Sequence, residues 1–384
     1  MRSTRFKMSS FWICSHPLCV AHPRSARAIF CRGVQRPLWG LIVVFGILNL
    51  FALSTKTLRS HFQDLELIIY PPKQSPYSAW STHGVTPIRC HSHNDYWRHV
   101  PLHSALSAGC ISVEADVWPW RDQILVGHSR YTVLAGLLDN LYLGPLGEML
   151  DLHNQKPGRG IGFEDEIVGV FANNLSQTLV LLIDFKSDGD ALWSLLSEAL
   201  APLREKGYLT HFNGTAGYTV MRPVTVVVSG DVSFANVVSN QTYRDIFFDA
   251  PLDNLTQLPV DGTADQTTIT HQDQHKPRKP HEQLTNSPFN PYNSYYASAD
   301  FSKAIGPLQL GRLSESQLQT LRSQIHAAHE LGLKVRYWGN PGWPIGLRNH
   351  VWDVLVHEGV DVISTDDLKG ATREVWRDSS WWWW

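Results

Sequence analysis

The chain has 384 residues, 43% hydrophobic and 18% charged, with 33 Lys and Arg against 35 Asp and Glu for a formal net charge of −2. That composition excludes a disordered chain or a coiled coil as a description of the whole. The charge is uneven: residues 1–36 carry seven basic side chains and no carboxylate, so the remainder holds 26 cations against 35 carboxylates, a net −9. An acidic body has the wrong sign for binding a phosphate backbone, and no nucleic-acid partner is expected.

The basic tail, 1–37, leads into Leu38–Leu53, a run of sixteen uncharged residues whose one polar side chain is Asn49. As a helix the run reaches roughly 24 Å, slightly short of the ~30 Å hydrocarbon core. Residues 38–54 are therefore expected to form a transmembrane signal anchor with a cytosolic N-terminus, by the positive-inside tendency. A mitochondrial presequence, also basic and poor in acids, is the alternative. Four N-glycosylation sequons follow, at Asn174, Asn213, Asn240 and Asn254, as expected of a glycosylated lumenal or extracellular body. Of the five cysteines only Cys90 and Cys110 lie in that body. They are expected at opposite ends of neighbouring parallel strands, too far apart for a disulfide, as separate buried thiols.

Residues 55–84, with Pro71, Pro72 and Pro76, read as a linker. Short apolar runs then alternate with helical patterns. Strands are expected at Ile88–Cys90, Ile111–Val117 with an extension at Ile124–Val126, Thr178–Asp184, Val224–Ser229, Asp245–Phe248, Lys334–Trp338 and Val360–Thr365. Helical periodicity runs through Pro101–Ala108, Ala191–Lys206, Ser314–Leu331 (with Ser314 as cap) and Leu347–His357. Seven or eight strands with intervening helices over 85–370 predict an α/β protein with a TIM-type (β/α)8 barrel. Residues 131–177 read as an insertion, 261–291 as a flexible loop and 371–384 as a Trp-rich tail.

In such a barrel the chemistry sits at the C-terminal strand ends. The first strand ends in His91-Ser92-His93-Asn94-Asp95. The second carries Glu114 and Asp116, whose spacing of two puts both carboxylates on one face, and its extension ends in Gly127-His128. The third ends in Asp184 and Lys186, again two apart. Glu114, Asp116 and Asp184 make a hard donor set for one divalent cation, Mg²⁺ in preference to Ca²⁺. His128 with His91 or His93 supplies an acid and a base near neutral pH, and Lys186 a positive charge for an anionic oxygen. Together they make a phosphodiester-cleaving set. The substrate is expected to be a lipid-type or glycerol-type phosphodiester; Asn94 and Trp338 are the expected substrate contacts, and Trp97, Trp118, Trp120 and Trp338 near strand ends fit an aromatic mouth for a lipid or choline-like group.

The segments PIRCHSHNDYW, SVEADVW, ILVGHS, LLIDFK, KVRYWGNP and GVDVISTDDL resemble the phospholipase-C-like phosphodiesterase superfamily, which includes glycerophosphodiester phosphodiesterases and sphingomyelinase D. Within it they are most similar to the fungal altered inheritance of mitochondria protein 6 family. The resemblance implies that Glu114, Asp116 and Asp184 are metal ligands, His128 the second catalytic histidine and Lys186 a phosphate contact. For the first histidine, His91 is favoured by its position after the strand, with His93, by the Asn that follows it, as the alternative. The His-Arg-Gly of glycerophosphodiesterases is absent, and an aspartate as third ligand is more like sphingomyelinase D. Two other readings compete. His91-x-His93 also resembles the opening of zinc amidohydrolase barrels, which need further histidines at the ends of strands five and six, where this chain offers Asp249 and Asp300 instead. An inactive, membrane-anchored binding module is the other.

Overall fold

The computed structural model describes residues 41, 43–50, 82–129, 136–154, 167–255, 287–308 and 311–373. Two compact units, Met1–Pro71 and Pro72–Trp384, divide the chain. In the first, residues 41 and 43–50 are helical and exposed. No helix among the described residues is long and apolar enough to cross a membrane. The rest of the expected anchor lies outside the described residues, as do Trp381–Trp384 and all but the end of the 261–291 loop.

The second unit is a closed barrel of eight parallel strands: β1 (Ile88–Ser92), β2 (Cys110–Trp120), β3 (Leu179–Phe185), β4 (Val224–Gly230), β5 (Ile246–Pro251), β6 (Ser294–Asp300), β7 (Lys334–Trp338) and β8 (Val362–Thr365). Each pairs with the next in order, and β1 closes the ring by pairing with both β2 and β8. The (β/α)8 expectation holds. β6 was visible in the sequence only as Asp300 on a candidate strand, because Ser-Tyr-Tyr-Ala-Ser-Ala-Asp lacks the aliphatic run that marks its neighbours. β2 overshoots the barrel rim and turns back as an antiparallel strand, Gln123–Val126, which returns the chain to the mouth at Gly127.

Successive strand residues alternate between two environments. One set, including Val113, Ala115, Leu181, Ile183, Val226 and Val228, packs outward under the helices as the main core. The other fills the barrel, where Val180, Leu182, Val227, Phe247, Tyr296 and Val362 form an apolar plug. Polar side chains on the same inward face then line the space above the plug. The helix Glu315–Glu330 begins at the expected cap, where Ser314 and Gln317 form a reciprocal capping box. The periodic stretch 191–206 divides into Gly189–Ala199 and Ala201–Glu205, with Pro202 opening the second helix. The expected insertion 131–177 contains the crossover helix Gly144–Asn154, so part of it belongs to the β/α repeat.

One expectation is overturned. Cys90 and Cys110 form a disulfide, with Cα atoms 4.5 Å apart. β1 does not end at Cys90 but continues to Ser92, so Cys90 sits mid-strand. Ile88 pairs with Cys110, and an irregularity before the His91–Ser112 pair brings the two sulfurs together across adjacent strands.

Candidate active site

The inward-facing residues at the C-terminal strand ends form two connected layers. In the lower one, His91 is fully buried, with Nδ1 2.7 Å from Ser112 Oγ and Nε2 2.7 Å from Glu114 Oε2. A 2.7 Å approach to a carboxylate oxygen requires a proton between the atoms. His91 is therefore the Nε2–H tautomer, assigned from its partners, with Ser112 donating to Nδ1. Arg336 Nη1 donates to the same Glu114 oxygen at 3.3 Å, Nη2 to Asp249 Oδ2 at 3.0 Å and Nε to Ser298 Oγ at 3.0 Å. Burial, reinforced by Arg336, lowers the pKa of His91 to about 4 and keeps it neutral. Burial would raise Glu114, but the hydrogen bond from His91 and the charge of Arg336 outweigh it and hold Glu114 ionised, below the usual carboxylate range.

The upper layer is the mouth. Asp116, fully buried, accepts at Oδ2 from Tyr96 at 2.8 Å and lies 3.0 Å from both His128 Nδ1 and Lys186 Nζ. Lys186 also pairs with Asp184 Oδ2 at 2.5 Å, while Ser229 donates to Asp184 Oδ1 at 2.6 Å. Burial opposes the charge on Lys186, but Asp184 and Asp116 outweigh it and raise its pKa, so it stays cationic. Burial and the neighbouring Glu114 raise the pKa of Asp116 against the pull of Lys186. On the far side, His93 Nδ1 lies 3.0 Å from Asp366 Oδ1. Burial again opposes, yet the bond to Asp366 and the charge of Glu114 raise the pKa of His93.

Backbone geometry sets these positions. Asn94 takes a left-handed conformation, φ 47°, which asparagine tolerates better than most side-chain-bearing residues. It turns the chain sharply after His93. Arg98 donates to the carbonyls of His93, Thr365 and Asp366, binding the loop after β1 to the loop after β8 and fixing the His93–Asp366 pair. Asn94 itself is buried, with Oδ1 2.8 Å from the Tyr96 hydroxyl oxygen and Nδ2 3.4 Å from His93 Nδ1, so its contacts orient the histidine rather than reach solvent. Trp338, at the end of β7, is exposed on the rim under Lys303, and Trp97 packs on His128 with ring centroids 5.7 Å apart.

All nine residues singled out in the sequence thus lie in the barrel's upper interior or on its rim. His91 and His93 separate into a buried, doubly bonded ring and a mouth-facing, carboxylate-paired one. Tyr96, Ser112, Ser229, Asp249, Arg336 and Asp366 complete the network and were not singled out as parts of it. Only Asp249 carried a signal, as a carboxylate near a strand end. Among the described residues no three His, Cys, Asp or Glu groups are gathered into a ready-made metal cage. The oxygens nevertheless fit a hard divalent cation: Asp116 Oδ1 is buried without a hydrogen-bond partner, and only the Lys186 ammonium bridges Asp116 and Asp184. Zinc amidohydrolase chemistry fits less well, because strands five and six bring Asp249 and Asp300 where histidines are needed, and Asp249 Oδ2 pairs with Arg336. His326 and His329 lie on the helix Glu315–Glu330 and pair with Glu330 and Asp361.

Residues 80–249 match the family described as AIM6-like phosphodiesterase domain. The altered inheritance of mitochondria protein 6 homolog of Arthroderma benhamiae is 35% identical over 335 residues, covering 84% of this chain and 96% of its own. Altered inheritance of mitochondria protein 6 of Eremothecium gossypii is 32% identical, over 79% of this chain and 73% of its own. That of Saccharomyces cerevisiae is 33% identical, over 76% and 72%. A solved glycerophosphoryl diester phosphodiesterase from Parabacteroides distasonis aligns with 78% of this chain and 90% of its own at 12% identity; its TM-score of 0.38 is too low for the likeness to carry weight. The identity and coverage of these fungal relatives, with a parallel eight-stranded barrel beneath them, establish that the chain belongs to the altered inheritance of mitochondria protein 6 family.

Proposed function

We propose that this protein is a phosphoric diester hydrolase that uses a divalent cation, Mg²⁺ in preference to Ca²⁺, and a pair of histidines. The observation that carries the proposal is the mouth itself: two imidazoles, each held by a carboxylate, flank a carboxylate–lysine cluster. A cation held by Glu114, Asp116 and Asp184 would neutralise charge on the phosphoryl oxygens. Lys186 supports the same charge from the protein side. His93, paired with Asp366 and with its pKa raised by that bond and by Glu114, donates to the leaving oxygen. His128 is more than half exposed at its side chain and oriented by Asp116; it accepts the proton of the attacking hydroxyl. His91 has both ring nitrogens engaged and serves as a support for Glu114.

Exposed Trp97 and Trp338 beside this mouth support a lipid-derived substrate. The body faces the lumen or the cell exterior in this reading, behind an anchor at 38–54. Its support is the Cys90–Cys110 disulfide, a bond that persists in oxidising compartments.

Steady-state assays on diesters with a poor and a good leaving group test the mechanism. With an alkoxide leaving group, His93→Ala and His128→Ala should each lower turnover by roughly 10²-fold or more. With nitrophenolate, which leaves without protonation, His93→Ala should regain most of its rate and His128→Ala should not. Normal rates for both variants on both substrates would refute the proposal.

A further inference from the structure

We propose that Arg336 is a positioning residue that fixes the Glu114 carboxylate for the site through a cross-barrel brace anchored on Asp249. The inference rests on the reading of Glu114 as a metal ligand. β7 reads Lys-Val-Arg-Tyr-Trp, and its alternation puts a guanidinium, 4% exposed, inside the barrel directly above the apolar plug. A medium-sized apolar side chain would extend the plug without the desolvation penalty of a buried cation. The guanidinium is instead used in three directions, by Nη1 to Glu114 on β2, Nη2 to Asp249 on β5 and Nε to Ser298 on β6. One planar group thereby joins β7 to three other strands. The rigid fork of Arg suits this task, whereas the single ammonium of Lys does not.

The brace and the His91 bond meet on one atom. Glu114 Oε2 receives both Arg336 Nη1 and His91 Nε2, and Arg336 Nη1 lies 3.1 Å from that ring nitrogen. Two donors converging from different strands define the carboxylate plane. Ser112 in turn locks the opposite side of the imidazole. Asp249 is the counter-anion that makes a buried arginine tolerable, with Oδ2 3.0 Å from Arg336 Nη2. Arg336 also bears on the choice between the strand-one histidines, because it helps commit His91 to support and leaves His93 to face the mouth.

The test separates bracing from simple stability. Arg336→Met alone strands Asp249 and should melt early. Adding Asp249→Asn removes the stranded charge, so the double variant of the full chain should recover most of the melting temperature. It should nevertheless bind Mg²⁺ and turn over a nitrophenyl diester roughly 10–100-fold less well, with KM little changed, as is usual when an outer support of a ligand is lost. Arg336→Lys should fold and fall between. A third readout needs no activity. ¹⁵N shifts of the His91 ring, assigned by difference against His91→Asn, should show one Nε2–H form in the wild type and averaged tautomers in the double variant. Absence of Mg²⁺ binding and turnover in the wild type, with the His91 shifts responding as expected, would sink the phosphodiesterase reading and leave the brace standing. A double variant with recovered stability, unchanged His91 shifts and wild-type Mg²⁺ affinity would overturn the brace.

Discussion

Burying an imidazole is costly only while the ring is charged, and His91 shows the consequence. Burial, with Arg336 behind it, takes its pKa from 6.5 to about 4, while Glu114 pulls the other way. The unfolded chain therefore binds the extra proton between these values and the folded one does not. Stability is fully present above about pH 6.5 and declines by up to about 3 kcal/mol as pH falls towards 4. Denaturant midpoints measured across this range should drop accordingly, and His91→Asn, less stable at neutral pH, should show a flatter profile. A profile of unchanged slope in the variant would mean that other groups carry the acid sensitivity. His93 acts oppositely: its folded pKa is raised, so its contribution is present below 6.5 and lost as pH rises through that higher value. The partner Asp366 is exposed, which keeps this second term small.

At the scale of elements, the period of two made much of the mouth legible. Glu114 with Asp116, and Asp184 with Lys186, were readable because the first pair lies on one strand and the second spans the end of another, each two residues apart. Arg336 and Asp366 were not, and Asp249 was only as a carboxylate near a strand end, because they join the site only when β5, β7 and β8 curl round to face β1 and β2. Ring closure is a tertiary fact with no local signal. The disulfide was missed for a local reason, a first strand longer than its apolar run and an irregular register with β2. It closes a sequence separation of 20 residues, which corresponds to about 3 kcal/mol in the loop-entropy picture. A Cys90→Ala/Cys110→Ala double variant should lose stability of that order by urea denaturation. Gly230, ending β4 at φ 78°, gives a sharper test of how strand ends support the mouth. A Cβ there would come within 2.3 Å of the Phe185 carbonyl oxygen and 2.8 Å of Asp184 Oδ1. Gly230→Ala should cost roughly 1–3 kcal/mol through the positive φ and the clash. It should also weaken Mg²⁺ binding by displacing Asp184, measured as a smaller rise in melting temperature on adding Mg²⁺. An undiminished Mg²⁺-induced rise would argue that Asp184 is not a ligand.

For the whole molecule, the barrel by itself does not identify a compartment, whereas its covalent chemistry bears on one. A thiol pair buried between β1 and β2 closes efficiently where the surroundings are oxidising, and glutathione opposes it in the cytosol. Asn174, Asn240 and Asn254 are exposed on loops or short turns, and Asn213 is half-buried at the start of a tight turn. Acceptor asparagines on such surfaces can carry glycans without disturbing the core. Expression of the full chain in its native membrane system should therefore give a protein whose gel mobility increases after enzymatic glycan removal. Replacing all four asparagines by Gln should remove that response while leaving diesterase activity within a few-fold, since none of the four belongs to the mouth network. Cys90 and Cys110 should resist alkylation until the protein is both unfolded and reduced. A chain with no glycan and with both thiols free to react on unfolding alone would mean a body on the reducing side of its membrane. The anchor reading for residues 38–54 would then have to be inverted, with the basic tail serving as an import signal instead.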